Sequence, residues 1–211
     1  MDNASRSERS RSAALDAAIA IIARDGPGRL TLDAIARESG LSKGGVMHQF
    51  RTKEAVLKAL LERQMAHFEE FSTGTRERLS KSSPNPHLAT QLATVREAAT
   101  SPNSAALALV AAIVENPGLM SLPRAREKQR MAAIKQEAAD PDLAMLRWAA
   151  AMGLLLSSLF GMSPLSEDEQ QRLYARLLDD EQWTALARPA AGRSGKAGRP
   201  AARAASPRKR T

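Results

Sequence analysis

The sequence contains no cysteine among its 211 residues, which excludes disulfide bonds, thiolate metal sites and cysteine nucleophiles. Aromatic residues make up only 3% of the chain. No uninterrupted apolar run reaches the roughly 20 residues that a membrane-spanning helix needs. The opening stretch, MDNASRSERSRSAALD, lacks the apolar segment of a secretory signal. We therefore expect a cytoplasmic protein with no membrane partner.

Acidic residues are absent from residues 188–211, which hold eight of the 31 lysines and arginines. The 23 basic side chains that remain balance 23 acidic ones. Residues 1–65 carry 11 basic and 8 acidic side chains, whereas residues 66–187 carry 12 and 15. A mildly basic head and a strongly basic tail therefore offer two surfaces to a polyanion.

The composition of the tail, rich in Ala, Arg, Gly and Pro, predicts disorder because it offers few large apolar side chains for burial. One interpretation is a solvated extension, and a second is an arm that binds DNA without sequence preference. A third rests on Ala197-Gly198-Arg199-Pro200, which has the Gly-Arg-Pro core of an AT-hook, a minor-groove element.

Runs of β-branched residues are few, whereas alanine and leucine are abundant, which favours helices over strands. The sequence predicts an all-α protein of about nine helices. An amphipathic pattern of apolar residues predicts a first helix from about Ser12 to the turn Gly26-Pro27-Gly28. Beyond the head, helices are predicted at about 87–100, 103–115, 124–138, 142–160 and 166–186.

Two short helices and their caps are readable between the first helix and residue 52. Thr31 is a good N-cap for the second helix, and Gly40 suits its end because glycine tolerates a positive φ. Ser42 then caps a third helix that ends near Phe50, and Thr52 caps a long fourth helix. Two short helices joined by a glycine turn are typical of a helix-turn-helix.

The stretch TLDAIARESGLSKGGVMHQFRTKEAVLKALL resembles the DNA-binding region of the TetR family of bacterial transcriptional regulators. The resemblance implies a helix-turn-helix domain over residues 1–52 and a helical ligand-binding and dimerisation domain over residues 53–187. Within the second domain, residues 53–80 form the connecting helix. The disordered basic tail covers residues 188–211.

By the same resemblance, a set of head residues is expected to face DNA: Thr31, Ser42, Lys43, Gly44, Gly45, Met47, His48 and Lys53. Helix N-termini present free N–H groups to phosphate, and lysines add charge that makes binding salt-dependent. The sequence departs from the family at Met47, where tyrosine is usual, and at Gln49, where histidine is frequent. Met47 cannot donate a hydrogen bond to a phosphate.

The body offers weaker signals. A ligand pocket is predicted around five side chains, the methionines among them being adaptable: Met120, Met131, Met145, Trp148 and Met152. The alternative is that these residues belong to an ordinary core. The apolar face of residues 142–160 exceeds what one amphipathic helix needs. Together with residues 166–186 it predicts a homodimer through a four-helix bundle.

These features lead us to expect a sequence-specific DNA-binding regulator, a repressor that a small-molecule ligand releases from a palindromic operator. The alternative is a nucleoid-type DNA-binding protein that relies on its basic tail. Enzymatic activity is not expected, because the histidines, His48, His67 and His87, have no second ligand or paired carboxylate at a suitable spacing. We expect no cofactor and no metal.

Overall fold

The computed structural model describes residues 3–100, 106, 110, 113, 114 and 116–187. In these residues all regular structure is helical, which confirms the all-α class. Within the described residues, two 3₁₀ turns, Pro27–Arg29 and Pro117–Met120, accompany nine α-helices. The α-helices are α1 (Asn3–Asp25), α2 (Leu32–Ser39), α3 (Lys43–Gln49), α4 (Lys53–Leu79), α5 (Pro86–Thr100), α6 (Ser121–Glu137), α7 (Pro141–Leu159), α8 (Glu167–Leu178) and α9 (Asp180–Thr184). The predicted helix at 103–115 lies mostly outside the described residues, and the tail at 188–211 lies wholly outside them.

The head consists of α1, α2, α3 and the start of α4, which enclose one apolar core. Leu30, Ile35, Val46 and Leu57 are all fully buried in it. An isolated helix shorter than about 12 residues is marginal in water. Both α2 and α3 are shorter than that, so packing against this core holds them in place.

The first helix begins at Asn3, well before the start near Ser12 that the apolar pattern predicts. Residues 3–12 offer only Ala4 as an apolar side chain, so hydrophobic periodicity gives no signal there. Extending an existing helix avoids the unfavourable nucleation step. The prediction was therefore wrong about where the helix starts, because a helix with almost no apolar residues leaves no hydrophobic pattern in the sequence.

The body is arranged around α5. Every residue from Leu88 to Val95 is buried, because α5 packs against α4, α6, α7 and α8. The second apolar core joins Leu92 of α5 to Ile134 of α6 and Tyr174 of α8. The body therefore has a central helix with no solvent-facing side over its middle turns.

By length and composition alone, α7 could cross a membrane: its mean hydropathy is 1.3 and 17% of that stretch is buried. Its sequence is interrupted by Asp142 and Arg147, so it is not the uninterrupted apolar run that the sequence was expected to lack. The side chain of Arg147 lies 2.9 Å from the Asp180 carboxylate and donates to Leu177 O at 2.6 and 3.1 Å. Arg147 is only 3% exposed, so these contacts make α7 a packing element of the body.

The last predicted helix, at 166–186, is two helices in the structure. Its start is as expected, with reciprocal capping between Ser166 and Glu169. The chain then leaves the helical conformation at Asp179, whose φ is −81° and ψ is 95° and whose carboxylate caps α9. Arg147 of α7 donates to the carbonyl of Leu177 beside this break, a contact between distant segments that periodicity does not reveal.

Tyr174, the only tyrosine in the chain, provides a test of the body core. Its ring is buried, and its hydroxyl donates to Ala151 O at 3.3 Å. Burial disfavours the phenolate and raises the pKa of Tyr174 to about 12, above its usual value of 10.0.

We expect the tyrosinate absorbance of the folded protein to rise with a midpoint near 12, and that of the guanidinium-unfolded chain to rise near 10. Stability from this group is complete below pH 10 and is lost as the pH rises toward 12. The loss at its largest is roughly 3 kcal/mol, since each pKa unit is about 1.4 kcal/mol. A midpoint near 10 while circular dichroism still reports a folded chain would contradict burial of Tyr174.

Candidate DNA-binding surface

Three side-chain caps and one glycine shape the turn between α2 and α3 and the entry to α4. Thr31, Ser42 and Thr52 each accept the amide hydrogen three residues later, at 3.0, 3.0 and 3.2 Å. Gly40 has a φ of +69°, in the left-handed region that favours glycine. All four features were predicted and are confirmed. They produce a compact helix-turn-helix whose second helix is α3.

The two sides of α3 differ sharply. Val46 and Phe50 point into the head core and are buried. On the other side, Lys43, Gly44 and His48 are exposed, and Met47 keeps 47% of its surface accessible. The face that carries most of the predicted DNA contacts is therefore open to solvent.

The adjacent glycines of α3 have different surroundings. A Cβ at Gly45 would lie 3.2 Å from Ser42 Oγ, the atom that caps this helix. A Cβ at Gly44 would meet no atom within 4 Å. Packing within the described chain thus gives a reason for glycine at 45 and none at 44. The open space at Gly44 is compatible with the expectation that this part of α3 faces DNA.

The two lysines of the predicted surface have internal partners. Lys43 forms an ion pair with Asp33 of α2 at 2.9 Å, with both side chains more than half exposed. Such exposed pairs contribute at most about 1 kcal/mol, so a phosphate can replace the carboxylate at small cost. Lys53 Nζ donates to Pro27 O at 2.9 Å and holds the start of α4 to the loop after α1. Lys53 therefore has a structural contact that the sequence did not indicate.

Further ion pairs fix the helices of the head to each other. Arg24 of α1 binds the Glu38 carboxylate of α2 through two nitrogens, at 3.1 and 2.9 Å. These hydrogen bonds lower the pKa of Glu38. Asp16 of α1 lies 2.7 Å from Arg63 of α4. These pairs link α1 to α2 and to the long connecting helix, whose first turns are buried in the head core.

Two residues that the sequence analysis missed contact α3 from the start of α1. Gln49 Nε2 donates to Ser7 Oγ at 2.9 Å. The guanidinium of Arg11 lies over the Phe50 ring, 4.8 Å from its centroid. A helical period continued backward from Leu15 places Arg11 and Ser7 on one side, which is the signal that could have found them.

The predicted pocket residues of the body are placed as follows. Met131, Met145, Trp148 and Met152 are partly buried and pack against the same apolar core. Met120 ends the 3₁₀ turn before α6. None of the five lines any of four open cavities in the described part of the chain. A ligand pocket around them stays a prediction.

Two family models match separate parts of the chain. Residues 14–60 match the model described as bacterial regulatory proteins, tetR family. Residues 85–180 match the model described as the tetracyclin repressor-like C-terminal domain. Among curated proteins, no sequence matches this chain significantly.

Solved structures share the fold. A TetR family transcription regulator from Marinobacter aquaeolei VT8 is 17% identical with a TM-score of 0.61, covering 83% of this chain and 96% of that one. A TetR family member from Streptomyces coelicolor A3 is 20% identical with a TM-score of 0.59, covering 80% and 97%. SmeT, solved with triclosan, is 22% identical with a TM-score of 0.57, covering 84% and 91%. At such low identities these likenesses establish the shared fold.

The substitution Gly44→Ala tests the role of the open position on α3. Alanine fits without a clash and is favoured in a helix by about 1 kcal/mol, so the melting temperature should rise. Its methyl group would project toward the DNA, and we expect affinity for the chain's own DNA site to fall about tenfold, or about 1.4 kcal/mol. Fluorescence anisotropy measures the affinity and circular dichroism the stability.

Gly74→Ala in α4 is the matched control for this change. Gly74 is exposed, helical and equally free of neighbours within 4 Å, so alanine should stabilise the protein there without weakening DNA binding. Equal DNA affinity for the two variants would show that Gly44 does not approach DNA closely.

Proposed function

We propose that this chain, which belongs to the TetR family of bacterial transcriptional regulators, is a repressor that leaves a palindromic operator when a small molecule binds its body. Family membership makes it a DNA-binding regulator with a helix-turn-helix head. The DNA-binding domain is residues 1–52, and the ligand-binding and dimerisation domain is residues 53–187. We place its action in the cytoplasm, on the nucleoid when bound to DNA.

The observation that carries the proposal is the open face of α3. A helix of seven residues with two glycines is poorly stable alone, yet it is capped at Ser42 and anchored by Val46 and Phe50. Its exposed side presents Lys43, which can contact a phosphate, and His48, which can reach a base edge. An α-helix fits the major groove of B-DNA, so α3 is the element that we place there.

Apolar side chains that no described part of the chain covers support a homodimer. On α7 and just after it, Leu146, Leu156, Phe160 and Met162 are exposed, and Leu173 is exposed on α8. A second copy related by a two-fold axis would bury the same residues on both sides, as in a four-helix bundle. These exposed residues lie in or next to the predicted interface, residues 142–160 and 166–186. The second of these ranges includes α9 as a separate short helix.

An open groove of about 760 Å³ lies between α4 and α6 and offers room for a small molecule. Its lining includes Met65, the carboxylates of Glu62 and Glu69, and Arg126. The predicted methionine pocket lies around the core instead, and we keep both places as candidates for the ligand. The SmeT structure holds triclosan, which supports small-molecule binding as a property to test in this chain.

Contacts along α4 and α6 give a route from the body to the head. Arg130 and Arg126 of α6 lie 2.9 and 3.9 Å from the Glu69 carboxylate of α4. Leu119, in the turn before α6, packs against the head core. A ligand that displaces α6 would therefore move α4 and change the separation of two heads in a dimer. A coupling free energy of about 1–3 kcal/mol is sufficient for regulation of this kind.

Selection of bound sequences from random duplex DNA tests the proposal. We expect one palindromic consensus, with half-site centres about 34–36 Å apart or a multiple of that distance, because a two-fold dimer sets the spacing. The same selection with a chain ending at residue 187 should return the same consensus.

Two outcomes would contradict this proposal. Loss of all DNA binding in the shortened chain would favour a nucleoid-type protein that depends on its basic tail. A consensus without two-fold symmetry would contradict binding as a dimer.

A further inference from the structure

The first turns of α1 lie outside the part of the head that matches the family. The family model begins at Ala14, whereas α1 begins at Asn3. The segment from residue 3 to residue 13, here the α1 extension, holds three arginines and one glutamate. Its net charge of +2, three minus one, is carried on a helix with little apolar surface to bury. Packing into the head core therefore does not explain why this charged segment is helical and lies where it does.

Two contacts hold the α1 extension at the end of α3. Ser7 Oγ accepts from Gln49 Nε2 at 2.9 Å, and Arg11 lies over the ring of Phe50. Ser7 and Arg11 are four residues apart, so they share one side of α1. That side therefore rests against the C-terminal end of α3, next to His48.

Arg6 and Arg9 lie on a different side of the same helix. They are three residues apart and so are neighbours on the helix surface, and both are exposed. Arg9 Nε donates to Ser5 O within the helix at 3.2 Å, an exposed contact. The pair forms a basic surface beside α3, on a helix that α3 itself keeps in position.

We propose that the α1 extension is a second DNA-contacting element, in which Arg6 and Arg9 bind backbone phosphates flanking the groove that α3 enters. The inference rests on the proposed function, because it takes α3 to be the helix in the groove. Guanidinium groups pair well with phosphate oxygens, and these contacts position a protein on DNA without reading its sequence. The extension would thereby add affinity and orientation to a recognition helix that lacks a tyrosine at position 47.

Charge and composition favour DNA over a lipid surface as the partner. A helix that lies on a membrane needs a large apolar face, and the stretch from Ala4 to Ser12 has only Ala4 as an apolar residue. The contacts of Ser7 and Arg11 also hold the extension, and with it Arg6 and Arg9, beside the end of α3.

The experiment uses the full chain and the DNA site that it selects from a random pool. In the test variant Arg6→Gln and Arg9→Gln are combined, because glutamine keeps a helix propensity close to that of arginine. The control combines Arg76→Gln with Lys81→Gln, two exposed residues at and just after the end of α4 that is farthest from the head, which removes the same charge away from α3. Affinity is measured at several salt concentrations for each protein, and circular dichroism verifies folding.

We expect the test variant to bind at least tenfold more weakly and to prefer the same sequence. The slope of log K against log salt should become shallower by about 0.9 for each lost phosphate contact, so by about 1.8 per protomer. The control should match the unmodified chain. Arg6→Lys combined with Arg9→Lys should restore most of the slope, since lysine keeps the charge.

An unchanged slope and affinity in the test variant would overturn the proposal and leave the proposed function intact. A weaker affinity with an unchanged slope would also overturn it, because that result assigns the arginines a structural role. Failure of the unmodified chain to select any DNA sequence would overturn the proposed function, and this inference with it.

Discussion

The packing of Val46 and Phe50 into the head core is the interaction on which the rest of this surface depends. Each glycine costs an isolated helix about 1 kcal/mol relative to alanine, and α3 has two of them in seven residues. The buried side chains and the cap at Ser42 supply the stability that local propensity lacks. The contacts that stabilise α3 thus lie on one side of the helix. The residues on its other side can be polar or small and can approach a partner closely.

Contacts between helices also join the head to the body. Val56, Leu57 and Leu60 of α4 are buried in the head core, and exposed ion pairs also link α1 to α2 and α4. Glu69 on that helix contacts α6, and Leu119 reaches the head core directly. These contacts connect α6 of the body to the head that carries α3. The apolar surface left on α7 and α8 suits a second copy, which would turn a movement in each body into a change in the spacing of two heads.

The caps at Thr31, Ser42 and Thr52 and the turn at Gly40 were readable from the sequence because each depends on residues within one turn of it. The start of α1 was not readable because residues 3–12 leave no apolar pattern. The bond from Lys53 to Pro27 and the contact of Arg147 with Leu177 beside the break at Asp179 were not readable because each joins distant segments. For the same reason, the positions of the body methionines could be predicted as apolar but not as core or pocket.

The absence of cysteine permits the most direct measurement of where α3 lies on DNA. In an Arg51→Cys variant the new thiol is the only one, so a DNA-cleaving iron chelate can be attached alone at this exposed position just after α3. Bound to its selected site, this protein should cut the duplex at two positions symmetric about the centre, about one helical turn or a multiple of it apart. A Lys128→Cys protein carrying the same chelate on α6 should cut weakly or not at all. Scattered cutting, or equal cutting from both attachment points, would contradict the placement of α3 in the major groove.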